Sequence, residues 1–107
     1  MRVVMREESF GPVVGIMKVS SDEEALKLMN DCQYGLTASL WTQDADRAAA
    51  LGARIETGTI FMNRADYLDP GLCWTGCKNT GRGGGLSVIG YHNLTRPKSY
   101  HFKKGAS

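Results

Sequence analysis

Apolar positions fall into three stretches with different periods. Residues 11–19, Gly-Pro-Val-Val-Gly-Ile-Met-Lys-Val, form a β-rich apolar run without polar alternation, the pattern of a strand covered on both faces. Ser21 followed by Glu24 reads as a capping box: the serine oxygen accepts from an orphan amide and the glutamate reaches back to the cap amide. Ala25, Leu28, Met29 and Cys32 then recur at helical spacing and predict a helix over 22–32 that ends at Tyr34-Gly35, with Asp22 and Glu23 at its positive end. Residues 36–42 predict a second strand. Asp44 predicts the cap of an alanine-faced helix over 45–56, with Gly58 as the left-handed residue that closes it. The apolar stretch 58–63 predicts a third strand. Strands alternating with helices give a βαβαβ series, so the expected fold class is α/β with parallel pairing and right-handed crossovers.

From Arg64 to Gly85 no period holds, and seven of the thirteen glycines lie between positions 71 and 90. A loop of this length in a compact domain is more often functional than idle. A short helix is predicted over 86–94, stopped before Pro97. Ser99-Tyr100-His101-Phe102-Lys103 alternates like an edge strand, with Tyr100 and Phe102 on one face.

Composition narrows the function classes. The 107 residues suffice for one small domain, and no apolar run approaches the roughly 18 residues of a membrane span. Residues 1–8 lack the apolar region of a secretory signal, so the expected compartment is the cytosol. Residues 1–69 hold seven basic and all eleven acidic side chains, whereas residues 70–107 hold six basic and none acidic. The cations of that second part are dispersed and carry no interleaved aromatic stacking pattern, which argues against nucleic-acid binding. Cys73 and Cys77 are the one close cysteine pair. His92 and His101 follow Cys77 by 15 and 24 residues, too far to complete a zinc set, so no metal site is expected. Cys32, on the apolar helix face, reads as a small buried hydrophobe.

Four segments in register carry a family resemblance. Glu7-Glu8-Ser9-Phe10-Gly11-Pro12-Val13, Tyr34-Gly35-Leu36-Thr37-Ala38, Gly58-Thr59-Ile60-Phe61-Met62-Asn63 and Gly76-Cys77-Lys78-Asn79-Thr80-Gly81-Arg82-Gly83 resemble, in order and interval, segments from the C-terminal part of NAD(P)-dependent aldehyde dehydrogenases. The resemblance implies that residues 1–96 are the C-terminal portion of the catalytic domain and that residues 97–107 are an edge strand or oligomerisation arm. It implies cofactor-binding roles for Glu8, on the nicotinamide-side ribose, and for Phe10, against the nicotinamide ring. A carboxylate suits two ribose hydroxyls, and a flat apolar ring suits the nicotinamide. Each also has a plain alternative: a solvated surface acid for Glu8, a core ring for Phe10.

In the same register Asn63 ends the Gly-Thr strand, and Tyr67, Leu68 and Trp74 fall at the wall of the aldehyde tunnel. Such surfaces would favour an apolar or arylalkyl aldehyde over a charged one. Trp74 could equally anchor the long loop. Cys73-Trp74-Thr75-Gly76 departs from the family's usual Pro-Phe-Gly-Gly, and Gly84-Gly85 from its Arg-Glu.

The resemblance places the catalytic cysteine, the general-base glutamate and the dinucleotide-binding domain upstream of Met1. No catalytic residue is therefore expected here. NAD or NADP would serve the intact parent and bind this chain alone weakly or not at all. The expected partners are an aldehyde in the parent and either a second copy of the chain or a missing N-terminal portion. The alternative is a non-catalytic structural or oligomerisation module.

Overall fold

The computed structural model describes residues 3–65 and 67–105. Met1, Arg2, Ala106 and Ser107, parts of the N-terminal and arm expectations, lie outside the described residues. A 3-10 turn over Val3–Met5 precedes an irregular segment. Then come α1 (Asp22–Asn30), β1 (Tyr34–Gly35), β2 (Thr37–Leu40), α2 (Ala45–Gly52), β3 (Thr59–Met62), β4 (Trp74–Thr75), β5 (Cys77–Lys78), β6 (Gly84–Gly85) and α3 (Ser87–Leu94).

Both predicted N-caps form. Ser21 Oγ accepts from Glu24 N at 3.2 Å and Asp44 Oδ1 from Arg47 N at 2.9 Å, satisfying first-turn amides that have no intrahelical partner. The Glu24 carboxylate reaches one residue further than expected, accepting from the amide and hydroxyl of Ser20 at 2.8 and 2.7 Å. Two bidentate forks tie α1 to α2 and to the turn that follows it. Arg47 donates twice to Asp22, at 2.6 Å each, and Arg54 donates to Glu23 at 2.6 and 2.7 Å. These bonds hold the Asp22 and Glu23 carboxyls below their ordinary range and raise both guanidinium values.

Among the described residues one βαβ unit is present. β2 and β3 pair in parallel, Thr37 opposite Thr59 through Leu40 opposite Met62, with α2 as the crossover. Gly52 packs against Ile60, where an added Cβ would sit 3.2 Å from its Cγ2. The buried core consists of Leu26, Ala48, Ile55 and Phe61. The strand expected over residues 11–19 does not form; every residue of the run is exposed. An apolar strand gains its stability from neighbours on its edges and faces, and the described residues supply none. Residues 99–103 likewise enter no ladder, although the Tyr100 and Phe102 rings share a side with centroids 5.6 Å apart.

Three further expectations need correcting. Cys32 is exposed, because α1 stops at Asn30 and the inward residue of its face is Leu26. Gly58 does not take a left-handed backbone. It is required instead by close approach, since a Cβ there would lie 1.7 Å from the Thr75 carbonyl oxygen. The long segment 64–85 is not structureless: β4 pairs antiparallel with β6, and β5 pairs antiparallel with β1.

The overall dimensions are 74 × 31 × 24 Å with a radius of gyration of 19.9 Å, against about 13 Å for a compact domain of this length. Four buried apolar residues stand against 22 exposed large ones among the described residues. This is far more uncovered apolar surface than a self-sufficient domain leaves.

Candidate functional site

The long segment folds back over β3 and encloses a groove of about 210 Å³. Thr59, Ile60, Phe61 and Met62 form its floor; Arg64, Tyr67, Asp69, Leu72, Cys73 and Trp74 form its walls. The groove thus gathers Tyr67 and Trp74, two of the three tunnel residues expected from the sequence. Leu68 is not among its lining residues and is 57% exposed.

The start of the wall is fixed by the end of the strand. Asn63 N donates to Leu40 O at 2.9 Å, and its backbone then turns into the left-handed region at φ 55°. Its side chain clasps the opposite chain: Oδ1 accepts from Thr42 N at 2.9 Å while Nδ2 donates to Thr42 O at 2.7 Å. Asparagine tolerates this backbone geometry better than most residues, and here its amide satisfies two backbone groups at a strand terminus. Ser39 Oγ donates to Arg64 O at 2.5 Å, so the next residue is held as well. The Arg64 guanidinium lies over the Tyr67 ring, with Cζ 3.9 Å from the centroid. At the far wall, Asp69 Oδ1 accepts from Gly71 N at 2.8 Å.

The glycine-rich segment that carries Lys78 and Thr80 does structural work. Lys78, at φ 55°, donates through Nζ to Asn30 O at 2.8 Å and Cys32 O at 3.0 Å and pairs with Glu56 Oε2 at 2.5 Å. Carbonyls at a helix C-terminus lack intrahelical donors and carry the negative end of the helix dipole, which is where an ammonium is favoured. Thr80 Oγ1 accepts from Gly35 N at 2.8 Å. The Lys-x-Thr spacing therefore staples β5 to both β1 and the end of α1. Gly84 pairs opposite Thr75, and a Cβ on it would meet Cys73 Sγ at 2.6 Å. The two departures from the usual family residues, Cys73 and Gly84, are thus in direct contact.

Glu8 and Phe10 lie away from this groove, on the N-terminal segment. Phe10 is 94% exposed and left-handed at φ 41°, a conformation that costs a non-glycine residue on the order of 1–3 kcal/mol. The Glu8 carboxylate has neither ion pair nor hydrogen bond among the described residues. An uncovered ring two positions from an unpaired carboxylate fits the chemistry of a nicotinamide ribonucleoside, one part apolar and the other bearing hydroxyls. No group of three or more metal-ligating side chains occurs among the described residues.

The model of the aldehyde dehydrogenase family matches residues 1–100. The chain belongs to the aldehyde dehydrogenase family. It is 38% identical over 94 residues to the NADP/NAD-dependent aldehyde dehydrogenase PuuC of Escherichia coli (strain K12), covering 88% of this chain and 19% of that protein. Among solved structures it matches one described as giving insights into cofactor and substrate selection by Gox0499, with a TM-score of 0.87 and 36% identity over 94% of this chain and 22% of the other. It also matches succinic semialdehyde dehydrogenase from Streptococcus pyogenes in complex with NADP+, with a TM-score of 0.78 and 41% identity over 81% of this chain and 19% of that one. The chain thus spans about a fifth of the length of the aldehyde dehydrogenases it matches.

The sequence expectations left out four members of the groove wall, Arg64, Asp69, Leu72 and Cys73. For Arg64 a signal was present: a long cation directly after the strand-ending Asn63, three residues before an aromatic ring.

Proposed function

We propose that the chain forms the C-terminal portion of an NAD(P)-dependent aldehyde dehydrogenase, contributing walls of the active site but not its nucleophile. The observation that carries this reading is the groove beside β3, which Tyr67 and Trp74 both line at the register of the aldehyde tunnel. The small core and the uncovered run at 11–19 support a segment that is completed by other elements.

In this reading Glu8 accepts from the ribose hydroxyls and Phe10 backs the nicotinamide ring. NAD or NADP bound there would supply the acceptor for the hydride that the aldehyde gives up as it is oxidised. Tyr67 and Trp74 orient the aldehyde and exclude water from its apolar part. Leu68 belongs to the same wall only if a neighbouring element folds over it. Residues 97–107 act as an assembly arm, with Tyr100 and Phe102 covered by a strand from outside the chain.

The test is a graft of residues 1–100 in place of the matched fifth of the E. coli relative. The graft is expected to produce NADH from NAD+ and aldehyde, and the 107-residue chain alone to produce none and to bind NAD+ weakly by calorimetry. A folded graft without turnover on any aldehyde, or turnover by the chain alone at ordinary enzyme levels, contradicts the proposal.

A further inference from the structure

We propose that Arg64 is a specificity-determining residue that binds the far carboxylate of an acidic aldehyde, so that the substrate class is an aldehyde bearing a second, anionic end. The inference rests on the reading of the groove as an aldehyde wall. It reverses the expectation, drawn from Tyr67, Leu68 and Trp74 alone, that the wall favours an uncharged chain.

Three observations converge on it. The guanidinium lies over the Tyr67 ring with its Cζ 3.9 Å from the centroid, and a guanidinium held over a ring face by its carbon keeps N–H donors at its edge. Those donors form a fork that matches a carboxylate in two parallel hydrogen bonds. No carboxylate among the described residues pairs with Arg64, whereas Arg6, Arg47, Arg54 and Lys78 all have acidic partners. Its backbone is held on both sides, by Asn63 against Leu40 and Thr42 and by Ser39 against the Arg64 carbonyl, so the cation is presented from a fixed point.

The rest of the lining divides the groove into a polar and an apolar side. Asp69, also on the wall, opposes an anion, but its carboxylate is turned into a hydrogen bond with Gly71 N. The anion therefore sits on the Arg64 side, and the apolar surface of Trp74 and Leu72 is left for the methylene chain.

The probes are 4-oxobutanoate and its uncharged counterpart butanal, assayed with the graft. Arg64→Leu is expected to lower kcat/KM for 4-oxobutanoate by about tenfold to a hundredfold, mainly through KM, and to leave butanal within about threefold, since only the anion loses a charge-assisted partner. Arg64→Lys restores part of the loss as a point charge without the fork. Equal losses on both aldehydes, or no loss on either, overturn the inference while leaving the groove an aldehyde wall. A folded graft that oxidises neither aldehyde overturns both. Should the graft fail to fold, arginine placed at the matched position of the E. coli relative reads the same quantity as a gain. An unchanged preference between the two probes there would overturn the proposal.

Discussion

The stretch from Asp22 to Leu94 and the segments that flank it have similar apolar content but opposite fates. In the first, a core closes within the chain from Leu26, Ala48, Ile55 and Phe61, and Lys78, Asn63 and the Arg47 and Arg54 forks fasten the parts, although α3 buries none of its residues. In the second, Val13, Val14 and Ile16 before the first helix, and Tyr100 and Phe102 after the last, stand in solvent. Apolar patterning specifies a strand only together with its neighbour, because most strand stability comes from ladder partners and faces rather than from intrinsic preference. The flanking segments state what is to be covered; the central stretch also states by what.

The largest effect is expected where the central stretch is tightest. Gly58→Val places a side chain into the Thr75 carbonyl and Gly76 amide, which are backbone and cannot swing aside. A loss of about 3 kcal/mol or more is predicted for the graft in urea melts, the range reached when overpacking forces backbone shifts. Gly81 and Gly83 are the contrast. Nothing lies within 4 Å of a Cβ at either, and alanine there costs only the strain of their positive φ.

Next in size is Lys78→Met, which keeps the aliphatic stem but withdraws the ammonium from two carbonyls and Glu56. At 25% side-chain exposure the expected cost is about 1–3 kcal/mol, with α1 fraying first at its C-terminus, read by amide exchange at Asn30 and Asp31.

The smallest effect concerns the exposed forks. Hydrogen bonds from Arg47 and Arg54 lower the Asp22 and Glu23 values in the folded state. Their stabilisation is therefore complete above the ordinary carboxylate range, near pH 4, and is lost as the pH falls through the lowered folded values. Acid titration of the Asp22 and Glu23 carboxyl resonances should give midpoints below those of the Arg47→Gln and Arg54→Gln variants. Identical midpoints would show that the forks do not persist in solution.

This contrast also explains what could be read from the sequence. The two capped helices and the β2–α2–β3 unit were legible because Ser21, Asp44 and the apolar periods are local signals, whereas α3 was marked only by the Pro97 that bounds it. Tyr67 and Trp74 were placed on the groove wall through register with Asn63. The Lys78 staple was not legible, because its acceptors Asn30 and Cys32 lie more than 45 residues away. Nor was the role of Gly58, since the contact that demands glycine comes from β4, whose two residues carry no periodic signal. Residues 11–19 read as a strand and remained bare because a correct local pattern does not supply a partner.

Hydrogen exchange over residues 11–19, compared between the 107-residue chain and the active graft, tests this account most directly. In the chain alone these amides should exchange at nearly the rate of an unstructured peptide, while those of β2 and β3 are slowed by their parallel ladder. In the graft, residues 11–19 should become protected to a degree comparable with β3. Equal exchange of 11–19 in the two proteins would contradict the claim that this run is a strand whose neighbours lie in the rest of the enzyme.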